Sequence, residues 1–382
     1  MQEAQNPTSR LFFIDNWRSA LIILVILHHL AVVYGAGVPF YYVEPPPAND
    51  LLAFLVLLVF ILINQSWFMG AFFLISGYFT PGSFDRKGLR AFLKDRLLRL
   101  GIPLVAFIFL LNPIALIGYY QMPTSLTRIT SPLSWQRYPK MIGMGPLWFI
   151  AMLLIFDFGY AACRAATRKR SGQLVSSPPG YFTIGVFVVV LALASYLVRI
   201  VLPLGKTVAG FPTLGYLPQY LSFFVLGIVA SRRNWFRTIP GKTGTIGLIT
   251  ALVATVLLLP IALTGLSPGL TAAANNIVGK GHWQSAVYTL WDSTVSVGMC
   301  LGLIMLFRRF LDRPGRLGSF LSRHDFTVYI IHAPVVVFLA VLLKGVELEH
   351  LLKFILAVVI GVPLCFGIAC LVRKIPLASR IL

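Results

Sequence analysis

Apolar and polar positions alternate in long blocks along the chain. Ten mostly apolar runs, at 19–35, 51–80, 101–120, 146–162, 181–202, 214–230, 244–264, 285–307, 326–343 and 351–371, are separated by short polar stretches. A helix of about 20 apolar residues crosses a hydrocarbon core. The 51–80 run is long enough to tilt or to project from the membrane. The first run also resembles a signal peptide, with Arg10 and Arg18 ahead of a short apolar core. His28 and His29 inside that core, and the loop parity below, favour a span. The pattern predicts an all-α fold, a polytopic membrane helix bundle of about ten transmembrane helices. It predicts one integral-membrane domain over 1–382, with short cytoplasmic tails at 1–12 and 373–382.

Charge fixes the expected orientation. The chain carries 32 Lys and Arg against 12 Asp and Glu, a net charge of +20. With the N-terminus inside and the spans alternating, the inside segments hold 24 basic residues, in clusters such as Arg86 to Arg99, Arg164 to Arg170, Arg232 to Lys242 and Arg308 to Arg323. The outside keeps seven, and Arg199 alone falls within a span. This asymmetry predicts N-in, C-in topology. One missed or invented span would scramble it. A nucleic-acid binder gathers its basic residues on one face; here they recur between apolar runs. Composition agrees, with 58% hydrophobic and 12% charged residues and a mean hydropathy of +0.84, where soluble domains carry about a quarter charged.

Function is read from polar groups that a bilayer should exclude. Arg18 and His29 are eleven residues apart, hence on one face of a helix and about 16 Å apart along its axis. His28 points about 80° away from Arg18 on the same wheel. Asp15 and Arg18 form an i, i+3 pair. An imidazole suits proton transfer near neutral pH, although a histidine hydrogen-bonded inside the bundle fits the helix equally well. Ser76-Gly77-Tyr78 ends the second run. Arg96 and Arg99 precede the third on one helical face, where two guanidiniums would suit phosphate groups; an ordinary positive-inside cluster has the same composition. Tyr329 and His332 face the same way, and a structural hydrogen bond also explains them. The four cysteines lie in or beside apolar runs without C-x-x-C spacing, so neither a zinc site nor a disulfide framework is indicated.

These residues, in this order, resemble a family. Arg18 with ten intervening residues and His29, the Phe72-Phe73-Leu74-Ile75-Ser76-Gly77-Tyr78 run, Arg96-x-x-Arg99 followed by Pro103, Leu147-Trp148-Phe149, and Tyr329-x-x-His332-x-Pro334 are similar to the acyltransferase 3 family. These are multi-pass membrane acyltransferases that modify surface carbohydrates and other acceptors. The 13–35 stretch is most similar to the branch containing the osmoregulated periplasmic glucan succinyltransferases.

The resemblance implies O-acyl transfer, of acetyl or succinyl type, from a cytoplasmic acyl-CoA to a hydroxyl of an extracytoplasmic acceptor such as a glycan. The setting it implies is the plasma or inner membrane. It implies no bound cofactor and no metal, acyl-CoA being the donor substrate. His29 matches the family's essential histidine, Arg18 its arginine partner, and Arg96 and Arg99 its arginine pair. Asp292 stands where relatives of this branch often carry glutamate, and is the expected carboxylate partner of His29. Both lie about 9–11 Å below the outer surface, and Asp157 lies deeper. Ser76, Tyr78, Tyr329 and His332 complete the expected substrate site. His29 either takes the acceptor's proton or is acylated first; the sequence leaves both open. A proton-coupled transporter or flippase would also use buried Arg and His, but the paired broken helices of two related halves were not found.

Overall fold

The computed structural model describes residues 10–35, 40–47, 50–127, 133–167, 177–264 and 276–382. The basic residues Arg128, Arg168, Lys169 and Arg170, and the tail before Arg10, lie outside them. Among the described residues, nine helical segments are long and apolar enough to cross a membrane. In lipid the backbone must satisfy its own hydrogen bonds, and a helix does so within one segment. The segments are α1 (Phe12–Tyr34), the run Leu51–Gln121, which begins with α2 (Leu51–Arg96), then α3 (Trp148–Thr167), α4 (Tyr181–Val201), α5 (Leu217–Arg233), α6 (Gly241–Ala262), α7 (Trp283–Phe310), α8 (Arg316–Leu342) and α9 (His350–Val372).

The Leu51–Gln121 run explains nine segments against ten expected spans. Its 71 residues would measure about 100 Å as one helix, against a hydrocarbon core of about 30 Å. It breaks at Gly88, whose φ of 74° and ψ of 171° fall in a region open essentially to glycine alone. The expected second and third spans are its two arms. The second arm is irregular, with π-helical turns at Leu97–Gly101 and Phe107–Leu111. Each precedes a proline, Pro103 or Pro113, which cannot donate to the carbonyl four residues back. For Pro113 that carbonyl belongs to Phe109, and the Tyr138 hydroxyl donates to it at 2.5 Å.

Helix α1 begins at Phe12, a full turn and more before the expected apolar run. The extra turns are tied down: the Phe13 N–H donates to Asp312 (3.2 Å) and the Asn16 amide to the Leu311 carbonyl (2.7 Å). Helices α1, α7 and α8 form the interior, α8 with 72% of its most apolar window buried, while α4 has 22% and faces outward with α6 and α9. Helices α2 and α5 cross closely. A Cβ at Gly77 would collide with the Phe224 backbone and one at Gly227 with the Leu74 carbonyl, so small residues set this contact. Of the cysteines, Cys300 and Cys365 are buried, whereas Cys163 is exposed.

Candidate active site

At the end of the bundle holding the Arg86–Arg99 cluster lies a chamber of about 980 Å³. Seven basic and two acidic side chains line it, among them Arg18, Arg86, Arg96, Arg99 and Arg237. Tyr78 also lines it, stacked on Phe236 at 4.4 Å. Ser76 does not; its carbonyl accepts a hydrogen bond from Thr80. Arg96 and Arg99 do not act as a forked pair. Arg99 sits inside the first π-helical turn, where the chain turns less per residue than in an α-helix, and although both side chains line the chamber they pair with different carboxylates. The Arg96 Nε lies 2.9 Å from Asp157, which is fully buried, and its guanidinium covers the Phe92 ring. Arg99 is largely exposed and pairs with Asp95 at 3.0 Å. Burial alone would raise the Asp95 carboxyl, but the Lys87 hydrogen bond and the charges of Arg99, Lys87 and Arg96 hold it below the usual carboxylate range.

Arg18 reaches the same chamber. The expected i, i+3 contact with Asp15 is present at 3.5 Å, and the Arg18 Nε donates to Asp325 at 3.2 Å. Ser19 donates to the same carboxylate oxygen at 2.9 Å. The other Asp325 oxygen is buried without a partner.

Further along α1 and α8 the two helices bring two histidines together. The His29 ring stacks with Phe40 (4.7 Å between centroids, 17° between planes) and with His332 (5.0 Å, 29°). His332 is fully buried. Its Nδ1 lies 2.6 Å from the Tyr329 carbonyl, which can only accept, so Nδ1 carries the proton and Nε2 presents a lone pair. That Nε2 has no partner, and neither has the buried Nδ1 of His29. The Tyr329 hydroxyl donates to the Pro146 carbonyl at 2.6 Å, and its ring lies beside His332. His28 points elsewhere, packed on Phe68 at 5.0 Å.

Asp292 is not the partner of His29. It accepts from Arg199 Nη2 at 2.6 Å, and both side chains are fully buried. Arg199 also donates to the Gly215 carbonyl and lies over the Tyr216 ring at 4.5 Å. Equal depth does not fix azimuth: Asp292 projects from α7 to meet Arg199 on α4. Among the described residues no carboxylate contacts His29; its ring neighbours are His28, Phe40 and His332.

The Acyltransferase domain of the acyltransferase 3 family matches residues 11–374. The chain belongs to the acyltransferase 3 family. It is a multi-pass membrane acyltransferase. Proteins called glucans biosynthesis protein C from Salmonella heidelberg (strain SL476) and Salmonella schwarzengrund (strain CVM19633) are each 23% identical to it over 392 residues, covering 98% of this chain and 94% of theirs. The Salmonella typhi protein of the same name matches to the same extent. No solved structure matches.

Two carboxylates of this acyltransferase escaped the sequence reading in their roles. Asp325 directly precedes the ninth apolar run and is not among the residues that the sequence singles out. Its signal was its spacing: seven residues before His332, it shares a face of α8 with that histidine, as Arg18 does with His29 on α1. Asp157 was noted for depth alone, and its pairing with Arg96 crosses 61 positions of sequence. Each carboxylate holds one chamber arginine from behind.

Proposed function

We propose that this acyltransferase moves an acetyl or succinyl group from acyl-CoA, bound at the basic chamber, to a hydroxyl of a glycan on the opposite side of a bacterial plasma membrane. One observation carries the reading: helices α1 and α8 join the basic chamber to a stacked histidine pair, His29 part-buried and His332 fully buried. Arg18 lines the chamber with the buried Asp325 as its partner, and His29 and His332 lie further along the same two helices. The rise from Arg18 to His29 is about 16 Å, a distance that an extended pantetheine arm covers. A net positive chamber suits the phosphates of CoA. The charge asymmetry of the loops supports placing that chamber in the cytoplasm. The name shared by the relatives supports a glucan acceptor. Acyl-CoA is the donor substrate here, and no bound cofactor or metal enters the scheme.

The test is CoA release by purified protein given acetyl-CoA or succinyl-CoA with periplasmic glucans, followed by mass spectrometry of the glucans. Acylated glucan and free CoA in equal amounts are expected. His29→Ala should lose at least about 10²-fold in kcat, while His28→Ala, on the other face of α1, should keep most of it. A dead His28→Ala beside an active His29→Ala would overturn the assignment. No CoA release from either thioester, together with substrate uptake into proteoliposomes, would favour the proton-coupled carrier instead.

A further inference from the structure

We propose that His29 and His332 divide the chemistry: His29 is the nucleophile that carries the acyl group, and His332 is the base that discharges it to the acceptor hydroxyl. This rests on the acyl-CoA reading above and settles on one of two routes that reading leaves open.

A base that only shuttles protons is usually held by a third group, such as a carboxylate on its N–H. His29 has no such holder among the described residues. Two near-parallel rings, Phe40 and His332, stack on it. Lone pairs of imidazole lie in the ring plane, so stacking leaves them free at the edge. The buried Nδ1 of His29 is unpartnered. An acylated imidazole stays planar and fits the same stack. His332 has the opposite character. Its Nδ1–H is given to the Tyr329 carbonyl, and Tyr329 is itself held by its hydroxyl on Pro146. The tautomer is locked, and Nε2 presents a lone pair with no partner beside the His29 ring. Nucleophile, adjacent base and a group orienting the base are the parts of covalent acyl transfer.

The steps balance. The lone pair of a His29 ring nitrogen attacks the thioester carbonyl, and the C–S bond breaks. The thiolate takes the proton from the other ring nitrogen and leaves as CoA. In the second half, His332 Nε2 accepts the proton of the acceptor hydroxyl as the new C–O bond forms. The C–N bond to His29 breaks, and the proton passes from His332 to the His29 ring. Both histidines end neutral. Donor and acceptor need not be present together, which suits substrates arriving from opposite sides.

The experiment is a single turnover in detergent with radiolabelled acetyl-CoA and, separately, succinyl-CoA, without acceptor. Wild-type protein should release about one CoA per chain and retain the label, on His29 by peptide mass spectrometry. His29→Gln should give neither. His332→Asn is the informative variant, because its side-chain N–H can replace Nδ1 on the Tyr329 carbonyl while Nε2 is lost. It should keep the burst. Discharge of its label to glycerol should slow by about 10²-fold or more, whereas hydroxylamine, a nucleophile needing no base, should discharge it as fast as wild type. Loss of both burst and rescue in a His332→Asn protein that elutes as wild type would reduce His332 to a packing role and sink the proposal. So would equal glycerol discharge in the two proteins. Steady transfer to glucan without any acceptor-free burst would mean direct transfer. No CoA release under any condition would instead remove the acyl-CoA reading beneath the proposal.

Discussion

Arg199 and Asp292 form a fully buried pair joined at 2.6 Å, 93 positions apart in sequence. Removing either partner leaves a charge in the interior with no compensation, which costs about 3–5 kcal/mol. Arg199→Ala and Asp292→Ala should therefore each lower thermal stability markedly in detergent. Arg199→Met combined with Asp292→Leu fills the space without charge and should recover most of the loss. This double variant should also release CoA, because Asp292 pairs with Arg199 and bonds neither histidine. A folded but inactive double variant would return Asp292 to the chemistry. At this scale the sequence was readable where partners share one helix: Asp15 with Arg18, Tyr329 with His332, and His29 rather than His28 on the Arg18 face. It was unreadable where the partner lies on another helix. Arg199 stood as a lone cation in a span, and Asp292 was given to His29 because depth can be counted along a chain and azimuth between helices cannot.

The helices themselves were largely legible, because twenty apolar residues have few alternatives in a bilayer. What the pattern missed is how elements join and deform. Gly88 breaks one long run rather than a loop separating two, and the prolines at 103 and 113 draw π-helical turns ahead of them. Arg96 and Arg99 both still line the chamber, but each is paired with a different carboxylate, Asp157 and Asp95. Gly77 belongs to the Ser76-Gly77-Tyr78 motif, but its clearest duty is the crossing of α2 and α5 opposite Gly227. A methyl group at either glycine forces the helices apart, and overpacking of this kind costs about 1–3 kcal/mol. Gly77→Ala and Gly227→Ala should each lower the melting temperature. Their effects should fall short of additive, since one displaced crossing accommodates both. Gly159→Ala is the control: nothing lies within 4 Å of its would-be Cβ, and alanine is the better helix former. A gain at Gly77 equal to that at Gly159 would show that helix propensity, not the crossing, governs these positions.

Contacts between loops sort the whole molecule into two ends. Asp85 binds both Arg164 (3.0 Å) and Arg232 (2.5 Å), and Arg308 donates to the carbonyls of Phe236, Arg237 and Ile239. Each of these contacts joins segments that the charge pattern assigns to the inside. At the other end Lys353 pairs with Glu44 at 2.5 Å and Lys344 donates to the Gln121 carbonyl, joining segments assigned to the outside. The sorting was legible because every segment alternates, and it holds although Leu51–Gln121 is a single helical run: its break at Gly88 lies at the basic end, and both arms return to the other. Geometry alone does not say which end faces the cytoplasm. The charge pattern gives the expectation, because basic loops are retained on the cytoplasmic side during insertion. A cysteine at Thr238, on the rim of the basic chamber, should therefore react in intact cells only with a membrane-permeant maleimide. A cysteine at Pro46, next to Glu44, should react with an impermeant one. Both measurements need Cys163 replaced first, since it is exposed on the basic side. The reverse pattern would turn the molecule over and put the chamber on the acceptor side, where cytoplasmic acyl-CoA has no access. Impermeant labelling at both positions would break the alternation itself, and with it the shared arrangement of Arg18, Asp325, His29 and His332 along α1 and α8 as a route from one side to the other.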